Sequence, residues 1–122
     1  MIIDDEVQIR RLLEISLSTY GYSTLFASTG KEGVVAAATH SPSLIILDLG
    51  LPDIDGMELL LTLREWYSKP IIVLSVRNSE EDIINALDKG ANDYLTKPFR
   101  SGELIARIRA AIRLSEEKKD TP

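Results

Sequence analysis

The stretch Leu44-Ile45-Ile46-Leu47-Asp48 is a continuous apolar run that ends in a carboxylate. Such a run predicts a strand that is covered on both faces, as the inner strands of parallel sheets are. The segment Ile71-Ile72-Val73-Leu74, which ends just before Ser75, repeats this pattern. The two runs indicate a parallel sheet with polar side chains placed directly after its strands.

Five strand candidates alternate with amphipathic stretches along the chain. The strand candidates span residues 1–3, 23–27, 44–47, 71–74 and 93–95. Helical stretches follow them, and Ser79-Glu80-Glu81-Asp82 is a capping-box pattern at the start of the fourth helix. We therefore predict an α/β fold, a doubly wound five-stranded parallel sheet of order 2-1-3-4-5 with five helices, which is the flavodoxin-like arrangement.

The third helical stretch has an apolar face that contains two aromatic residues. This face comprises Leu59, Leu60, Leu63, Trp66 and Tyr67. Because the apolar face of such a helix packs against the sheet, we expect Trp66 to anchor the helix.

The first strand is short for its predicted place inside the sheet. Only three residues come before Asp4, whereas strands of about five or six residues are usual. Either residues precede Met1 or the strand is a stub, and the acids that follow it are present in both cases.

The composition fits one globular domain and excludes several kinds of site. The chain has 122 residues, a net charge of −5, no cysteine and one histidine, His40, so disulfides, thiol nucleophiles and metal sites rich in cysteine or histidine are excluded. An acidic chain binds nucleic acid poorly on its own, because phosphate contacts supply much of that affinity. No apolar run approaches the roughly 18 residues of a membrane helix, and no signal peptide is visible. We therefore expect a cytoplasmic protein without membrane contacts.

Charge is distributed unevenly along the chain. Residues 1–96 carry 7 Lys or Arg against 15 Asp or Glu, whereas residues 97–119 carry 7 against 3. The acidic part contains the ends of the first four strands, and the basic part begins at Lys97.

Polar side chains follow four of the five strands. Asp4-Asp5 follows the first, Asp48 the third, Ser75 the fourth and Lys97-Pro98 the fifth. Taken alone, each has an ordinary explanation, since acids cap helices or begin turns and a serine or lysine at a strand end is common. Ligands of open parallel sheets, however, bind outside the carboxyl ends of the strands. Topology therefore brings these side chains to one crevice.

A crevice with three carboxylates requires a cation. Each pair of carboxylates at about 4 Å repels by on the order of 4 kcal/mol at an effective dielectric constant near 20. Oxygen ligands without imidazole or thiolate indicate Mg²⁺, which readily shares a substrate phosphate. Lys97 adds a fixed positive charge and Ser75 a hydrogen-bond donor. The crevice therefore fits a phosphoryl group, with Asp48 placed to attack phosphorus and form an aspartyl phosphate.

These residues resemble the receiver domain of two-component response regulators. The matching segments are Asp4-Asp5-Glu6, residues 44–48, residues 51–56, Ser75 and residues 90–99. Residues 103–109 are similar to the OmpR/PhoB subfamily of transcription factors, and residues 47–53 are most similar to a regulator of potassium transport genes within it. The resemblance covers essentially the whole chain and implies a CheY-like fold.

The resemblance implies a role for each acid. Asp48 would be the phosphoacceptor, receiving its group from a phosphohistidine of a sensor kinase. Asp5, Asp48 and the backbone carbonyl of Gly50 would hold Mg²⁺, with Asp4 acting through water. The chain would be a signalling domain with Mg²⁺-dependent self-phosphorylation and dephosphorylation chemistry rather than an enzyme.

The resemblance also implies how the domain switches. Lys97 would pair with a phosphoryl oxygen, and the Lys97-Pro98 peptide would be cis. Ser75 would swing in to bond the phosphoryl group, and Tyr94 would rotate inward behind it. The charge added at Asp48 would bias a two-state element.

In the OmpR/PhoB subfamily that element is the face formed by the fourth helix, fifth strand and fifth helix, which pairs two receivers into a homodimer on phosphorylation. Here the face would offer Lys89, Asp93, Glu103, Arg107, Arg109 and Arg113. These residues could equally be ordinary surface charges.

The subfamily also has a DNA-binding domain after a linker. We therefore expect residues 1–114 to form the receiver domain and residues 115–122 to begin a linker to an absent DNA-binding domain. The whole regulator would contact DNA through that domain only.

Three alternatives stay open. A haloacid-dehalogenase-type phosphatase also forms an aspartyl phosphate, but it needs a second Asp two residues after the nucleophile, where Gly50 stands. A flavodoxin-like cofactor protein would bind an FMN phosphate where Asp4-Asp5 would repel it. A pseudo-receiver would bind partners without phosphorylation, which the intact set of acids argues against.

Overall fold

Five parallel strands alternate with five helices in the computed structural model, which describes residues 1–119. The strands are β1 (Ile2–Ile3), β2 (Phe26–Ala27), β3 (Ile45–Leu47), β4 (Ile71–Ser75) and β5 (Asp93–Thr96). The helices are α1 (Val7–Thr19), α2 (Gly30–His40), α3 (Gly56–Arg64), α4 (Glu80–Asp88) and α5 (Ser101–Lys119). The strands pair in the order β2-β1-β3-β4-β5, which confirms the predicted doubly wound fold.

Alternate residues of the strands enter two separate cores. One core, against α2, α3 and α4, contains the strand residues Ile3, Ala27, Ile45, Leu47, Ile71 and Val73. The other, against α1 and α5, contains Ile2, Ile46, Ile72, Leu74 and Leu95. Because successive side chains of a strand point to opposite faces of the sheet, the continuous apolar runs at residues 44–47 and 71–74 supply both cores at once.

Side chains determine where three of the helices begin. Thr29, Asp55 and Ser79 are the N-caps of α2, α3 and α4, and each accepts a backbone N–H of its own helix; the cap at Ser79 was predicted. Asp53 supplies a further cap from the β3–α3 loop, because its two carboxylate oxygens accept the N–H groups of the first two residues of α2 at 2.8 and 3.0 Å. These backbone hydrogen bonds lower the pKa of Asp53. The β3–α3 loop is thereby joined to α2.

α3 ends before the aromatic residues of its predicted face. The helix stops at Arg64, and a tight turn places Trp66 beyond it with 45% of its surface exposed. The prediction that Trp66 anchors the helix is therefore wrong. Tyr67 is the buried aromatic residue, 4% exposed, and its hydroxyl donates to the carbonyl of Pro42 at 2.8 Å.

Arg64 joins three segments at the amino ends of β4 and β5. Its guanidinium donates to the carbonyl of Gly90 at 2.9 Å and to the side chain of Asn92 at 2.8 Å. It also donates to the carbonyls of Tyr67 and Lys69 at 2.8 and 2.7 Å. Gly90 has a φ of +115°, and a Cβ there would lie 2.8 Å from the Arg64 side chain, so both conformation and space require glycine. The carboxyl end of α4 is thereby tied to the carboxyl end of α3.

β1 has only two residues although it lies between β2 and β3. Met1 extends its pairing, because the Met1 ammonium donates to the carbonyl of Leu44 at 2.7 Å and the Met1 carbonyl accepts the N–H of Ile46 at 2.8 Å. Burial lowers the pKa of this ammonium from 8.0 to about 6. An ionisable amine is therefore held within the sheet.

α5 continues past residue 114, where we expected the domain to end. Residues 115–119 belong to the helix, and residues 120–122 of the expected linker lie outside the described residues. Within residues 1–119, no helix combines the length and the apolar character that crossing a membrane requires.

Candidate functional site

Asp4 and Asp48 lie beside each other at the carboxyl ends of β1 and β3. Backbone pairing continues one residue past the strands: the N–H of Asp4 donates to the carbonyl of Ala27 at 3.0 Å, and that of Asp48 to the carbonyl of Ile3 at 2.9 Å. Asp4 is 3% exposed and Asp48 6% exposed. The parallel sheet thus holds two buried carboxylates in register.

Lys97 supplies a positive charge to these carboxylates. Its Nζ lies 2.9 Å from Asp4 Oδ2, 3.2 Å from Glu6 Oε1 and 3.7 Å from Asp48 Oδ2, and its side chain is buried. Burial lowers the pKa of Lys97, but the hydrogen bond to Asp4 and the charge of Asp48 outweigh this effect, so the pKa is raised overall. Lys97 directly follows β5, and its peptide bond to Pro98 is cis.

The carboxylate of Asp48 is destabilised in its ionised form. Burial is the main cause that raises the pKa of Asp48 above its usual range. The charge of Lys97 opposes this rise, and the charge of Asp4 adds to it. One hydrogen bond stabilises the carboxylate, from the N–H of Gly50 to Oδ1 at 3.3 Å. The negative charge is only partly compensated, which favours an approaching cation or electrophile.

Three carboxylates of the described residues lie close enough to hold a metal ion. Oxygens of Asp4, Glu6 and Asp48 are all within 4.8 Å of one another. They are the hard oxygen ligands that Mg²⁺ prefers. Because Lys97 is the one basic side chain paired with them in the part of the chain described here, the group keeps a negative charge, and these residues fit a divalent cation.

Glu6 takes a place in this group that the sequence prediction gave to Asp5. The side chain of Asp5 is exposed and lies outside the group, although its charge still helps to raise the pKa of Asp48. Asp5 and the carbonyl of Gly50 stay predicted ligands. The involvement of Glu6 was missed, and its only signal in the sequence is that it directly follows Asp4-Asp5.

Ser75 and Tyr94 both form hydrogen bonds with the backbone of Arg77, in the β4–α4 loop (residues 76–79). Ser75 is 1% exposed, and its Oγ accepts the N–H of Arg77 at 3.1 Å. The hydroxyl of Tyr94 donates to the carbonyl of Arg77 at 2.6 Å. The ring of Tyr94 is half-buried and packs against the core below α3 and α4. Tyr94 therefore lies inward with its hydroxyl on the β4–α4 loop, and its rotation on phosphorylation stays a prediction.

The residues predicted for a dimer face are only partly brought together. Arg107 bridges Asp93 and Glu103, each at 3.0 Å, so these three residues form one ionic group on β5 and α5. Arg109 lies instead over the ring of Tyr20, the C-cap residue of α1, 5.7 Å from its centroid, and this contact turns it away from that group. Two further members are the α4 C-cap Lys89 and the exposed Arg113 of α5.

The sequence and the fold are similar to those of known signalling proteins. The family model described as "Response regulator receiver domain" matches residues 1–109. The transcriptional regulatory protein KdpE of Mycobacterium tuberculosis (strain ATCC 25618 / H37Rv) is 52% identical over 113 residues, 93% of this chain and 50% of the relative. The KDP operon transcriptional regulatory protein KdpE of Escherichia coli (strain K12) is 53% identical over the same share of each. The chain therefore spans about half the length of these curated relatives.

Solved structures show the same fold. The Francisella response regulator 1452 receiver domain is 34% identical with a TM-score of 0.89, over 93% of this chain and 95% of that one. The BeF3-activated N-terminal receiver domain of Klebsiella pneumoniae RstA is 29% identical with a TM-score of 0.88, over 92% and 96%.

Proposed function

The chain belongs to the response regulator receiver domain family, and from this premise we propose that it accepts a phosphoryl group on Asp48 from a sensor histidine kinase. The observation that carries the proposal is the arrangement of Asp48, buried at the carboxyl end of β3 beside Lys97 and Asp4. A buried carboxylate with a partly compensated charge and an adjacent ammonium is suited to nucleophilic attack on phosphorus. Phosphorylation of Asp48 by this attack would convert the domain to its signalling state.

In the transfer step, a carboxylate oxygen of Asp48 forms a bond to phosphorus while the bond from phosphorus to the donor breaks. The donor leaves with the electron pair, as the imidazole of a kinase histidine or as acetate when acetyl phosphate is used. Mg²⁺ held by Asp5, Asp48 and the carbonyl of Gly50, with Asp4 acting through water, would neutralise the charge of the phosphoryl oxygens. Hydrolysis of the resulting acyl phosphate by water would return the carboxylate and inorganic phosphate.

We expect the ammonium of Lys97 to move towards a phosphoryl group on Asp48. The Lys97 ammonium lies nearer to Asp4 than to Asp48, at 2.9 Å against 3.7 Å. A phosphoryl group on Asp48 would bring new oxygens into this space and attract the ammonium more strongly than the single carboxylate does. Ser75, at the adjacent strand end, would donate its hydroxyl to another of these oxygens.

The modified state would act through the face formed by α4, β5 and α5. The ionic group of Asp93, Glu103 and Arg107, with Lys89 and Arg113, supports a charged surface that pairs two copies of the domain. Arg109 is left out because it lies over Tyr20. The similarity to KdpE supports a cytoplasmic transcriptional regulator that controls potassium-transport genes and binds DNA through another domain.

Mass spectrometry of the intact protein tests the assignment of Asp48. After incubation with acetyl phosphate and Mg²⁺, we expect the wild type to gain one phosphoryl group and Asp48→Asn to gain none. Asp88→Asn, which alters an exposed carboxylate at the end of α4, is the control and should behave as wild type. Equal labelling of the wild type and Asp48→Asn would refute the site.

The same samples separate the alternatives. Rapid Mg²⁺-dependent release of phosphate from a generic phosphomonoester would favour a phosphatase. A wild type that takes up no phosphoryl group from acetyl phosphate or from a phosphorylated kinase, yet still binds that kinase, would favour a pseudo-receiver. Gel filtration with beryllofluoride then tests the homodimer, which we expect in the wild type only when beryllofluoride is present.

A further inference from the structure

Arg77, in the β4–α4 loop, contacts residues of two strands and two helices around the site. Its backbone bonds Ser75 and Tyr94, as described above, and its side chain reaches two helices. Nη2 lies 2.7 Å from Asp82 in the first turn of α4, and Nη1 lies 3.4 Å from Asp55 at the start of α3. One residue of the β4–α4 loop is therefore joined to β4, β5, α3 and α4.

Both carboxylates that Arg77 contacts are fixed by helix caps. Asp55 is the N-cap of α3 and accepts the N–H of Met57 at 3.3 Å. Asp82 accepts the hydroxyl of Ser79, the N-cap of α4, at 2.9 Å. Because these acceptors are already ordered, the guanidinium loses less entropy in pairing than it would with two free surface side chains. We call Arg77 with Asp55 and Asp82 the Arg77 latch.

The pKa directions agree with a close contact. The hydrogen bond that Arg77 donates to Asp82 is the main cause that raises the pKa of Arg77. The same hydrogen bond is the main cause that lowers the pKa of Asp82, followed by the hydrogen bond from Ser79. The pair is therefore charged throughout the neutral range.

The Arg77 latch restrains the backbone carbonyl of Arg77, which accepts the hydrogen bond of the Tyr94 hydroxyl. Tyr94 keeps its half-buried position with its hydroxyl on the carbonyl of Arg77, 2.6 Å away. That carbonyl belongs to an irregular loop, so its position depends on what holds the loop. The side chain of the same residue provides this support by joining the loop to α3 and α4.

We propose that Arg77 is a positioning residue whose side chain, through the Arg77 latch, holds the β4–α4 loop so that Tyr94 lies inward. The proposal rests on the proposed function, since it concerns the same switch. With Tyr94 already placed, modification of Asp48 has only to draw Ser75 away from the N–H of Arg77. The latch therefore lowers the free-energy gap between the unmodified and the modified arrangement.

The size of the effect follows from the exposure of the two pairs. The side chains of Arg77, Asp55 and Asp82 are 39%, 51% and 24% exposed, and exposed ion pairs are individually weak. Acting on one equilibrium, the two pairs together should change beryllofluoride affinity by roughly threefold to tenfold.

The first experiment measures Tyr94 in the unmodified protein by NMR of tyrosine-ring-labelled samples, with the resonance assigned from Tyr94→Phe. In Arg77→Gln we expect the Tyr94 resonance to move towards that of an exposed tyrosine. Arg11→Gln, which alters an exposed arginine of α1, is the matched control and should leave the resonance in place. An unmoved Tyr94 resonance in folded Arg77→Gln would overturn the proposal.

The second experiment titrates beryllofluoride in the presence of Mg²⁺. We expect the half-saturating concentration to rise roughly threefold to tenfold in Arg77→Gln, with a smaller rise in Arg77→Lys, which keeps the charge but loses the two-pronged geometry. In the double variant Asp55→Asn/Asp82→Asn, adding Arg77→Gln should cause no further rise, because its partners are gone. A full further rise there would show that Arg77 acts otherwise and would overturn the latch.

Failure of this proposal and failure of the proposed function give different results. If Asp48 is not the phosphoacceptor, the wild type takes up no phosphoryl group, but the Tyr94 resonance still reports on the latch. If only the latch is wrong, Arg77→Gln binds beryllofluoride as the wild type does and Tyr94 stays inward. Should Arg77→Gln fail to fold, Arg77→Lys and the Asp55→Asn/Asp82→Asn variant carry the same two measurements.

Discussion

The ammonium of Lys97 lies 2.9 Å from the carboxylate of Asp4, across 93 residues of sequence. This contact joins the end of β5, an edge strand of the sheet, to the end of β1, an inner strand, over the mouth of the acidic crevice. It makes Lys97 part of the stability of the domain as well as of its proposed chemistry.

Replacing Lys97 should weaken the fold. In Lys97→Met the buried carboxylates of Asp4 and Asp48 would lose their shared positive charge, and breaking a buried ion pair in this way destabilises by about 3 kcal/mol. Urea denaturation measures the loss, with Lys31→Met, an exposed lysine of α2, as control. A loss no larger than that of the control would mean that the carboxylates are protonated or solvated instead.

Asp48→Asn should have the opposite effect. Because burial raises the pKa of Asp48, the folded state binds more protons than the unfolded state between the ordinary pKa and the raised one, and its stability falls as pH rises through that window. At neutral pH the ionised carboxylate therefore destabilises the fold. We expect Asp48→Asn to raise the free energy of unfolding by on the order of 1 kcal/mol.

Urea denaturation at neutral and at acid pH checks this prediction. The advantage of Asp48→Asn over the wild type should shrink as pH falls and the wild-type carboxyl becomes protonated. An advantage that stays constant with pH would attribute the gain to packing rather than to charge.

Magnesium binding should distinguish Asp5 from Glu6. At about ten times its dissociation constant, Mg²⁺ should stabilise the wild type by about 1.4 kcal/mol. We expect Asp5→Asn to weaken binding by roughly tenfold or more. Glu6→Gln should weaken it by roughly threefold or less, because the Glu6 carboxylate is engaged by Lys97 at 3.2 Å.

Thermal shift or calorimetric titration gives both affinities. Glu58→Gln, an exposed acid of α3, serves as the matched control for Glu6→Gln. The reverse order of effects would make Glu6 the ligand and leave Asp5 as a distant charge.

In a chain that begins at Met1, the free energy of unfolding should rise between pH 6 and pH 8 because of the Met1 ammonium. Its pKa falls from 8.0 to about 6 on folding, so in this window the unfolded chain holds the proton and the folded chain does not. The free energy of unfolding then increases with pH, by up to about 2 kcal/mol.

Acetylation of the Met1 amine removes this titration and serves as the control. The difference between the acetylated and free chains isolates the contribution of the amine from that of other groups. Parallel pH profiles of the two chains would contradict the prediction.

The fold could be predicted from the apolar runs, because a short, continuously apolar segment is buried on both faces and is therefore typical of an inner strand of a parallel sheet. Residues 44–47 and 71–74 feed both cores, and their order along the chain determines the topology. Prediction was weaker where tertiary contacts decide. β2 was expected over residues 23–27 but forms only at Phe26–Ala27, at the edge of the sheet, and α3 ends where Arg64 meets its carbonyl partners rather than where the apolar pattern ends.

The site could be predicted as far as topology determines it. Asp4, Asp48, Ser75 and Lys97 follow strand ends, and parallel strands bring such ends to one edge. The contacts of Glu6 and Arg77 could not be predicted, because they depend on the direction of long side chains. Nothing in the spacing of Arg77 and Asp55 indicates that they meet across two loops.

The hydrogen bonds of Arg64 to the end of α4 make this helix unequal at its two ends. After its last turn, the carbonyl of Gly90 accepts a hydrogen bond from the half-buried guanidinium of Arg64, which also donates to the carbonyl of Lys69. Its first turn is held by the more exposed ion pair of Arg77 and Asp82. The end of such a helix that is weakly held shifts more easily than the end that is fixed. A small change beside Ser75 would therefore swing the start of α4 widely while the end at Gly90 stays still, and partner contacts near that start would sense the change most.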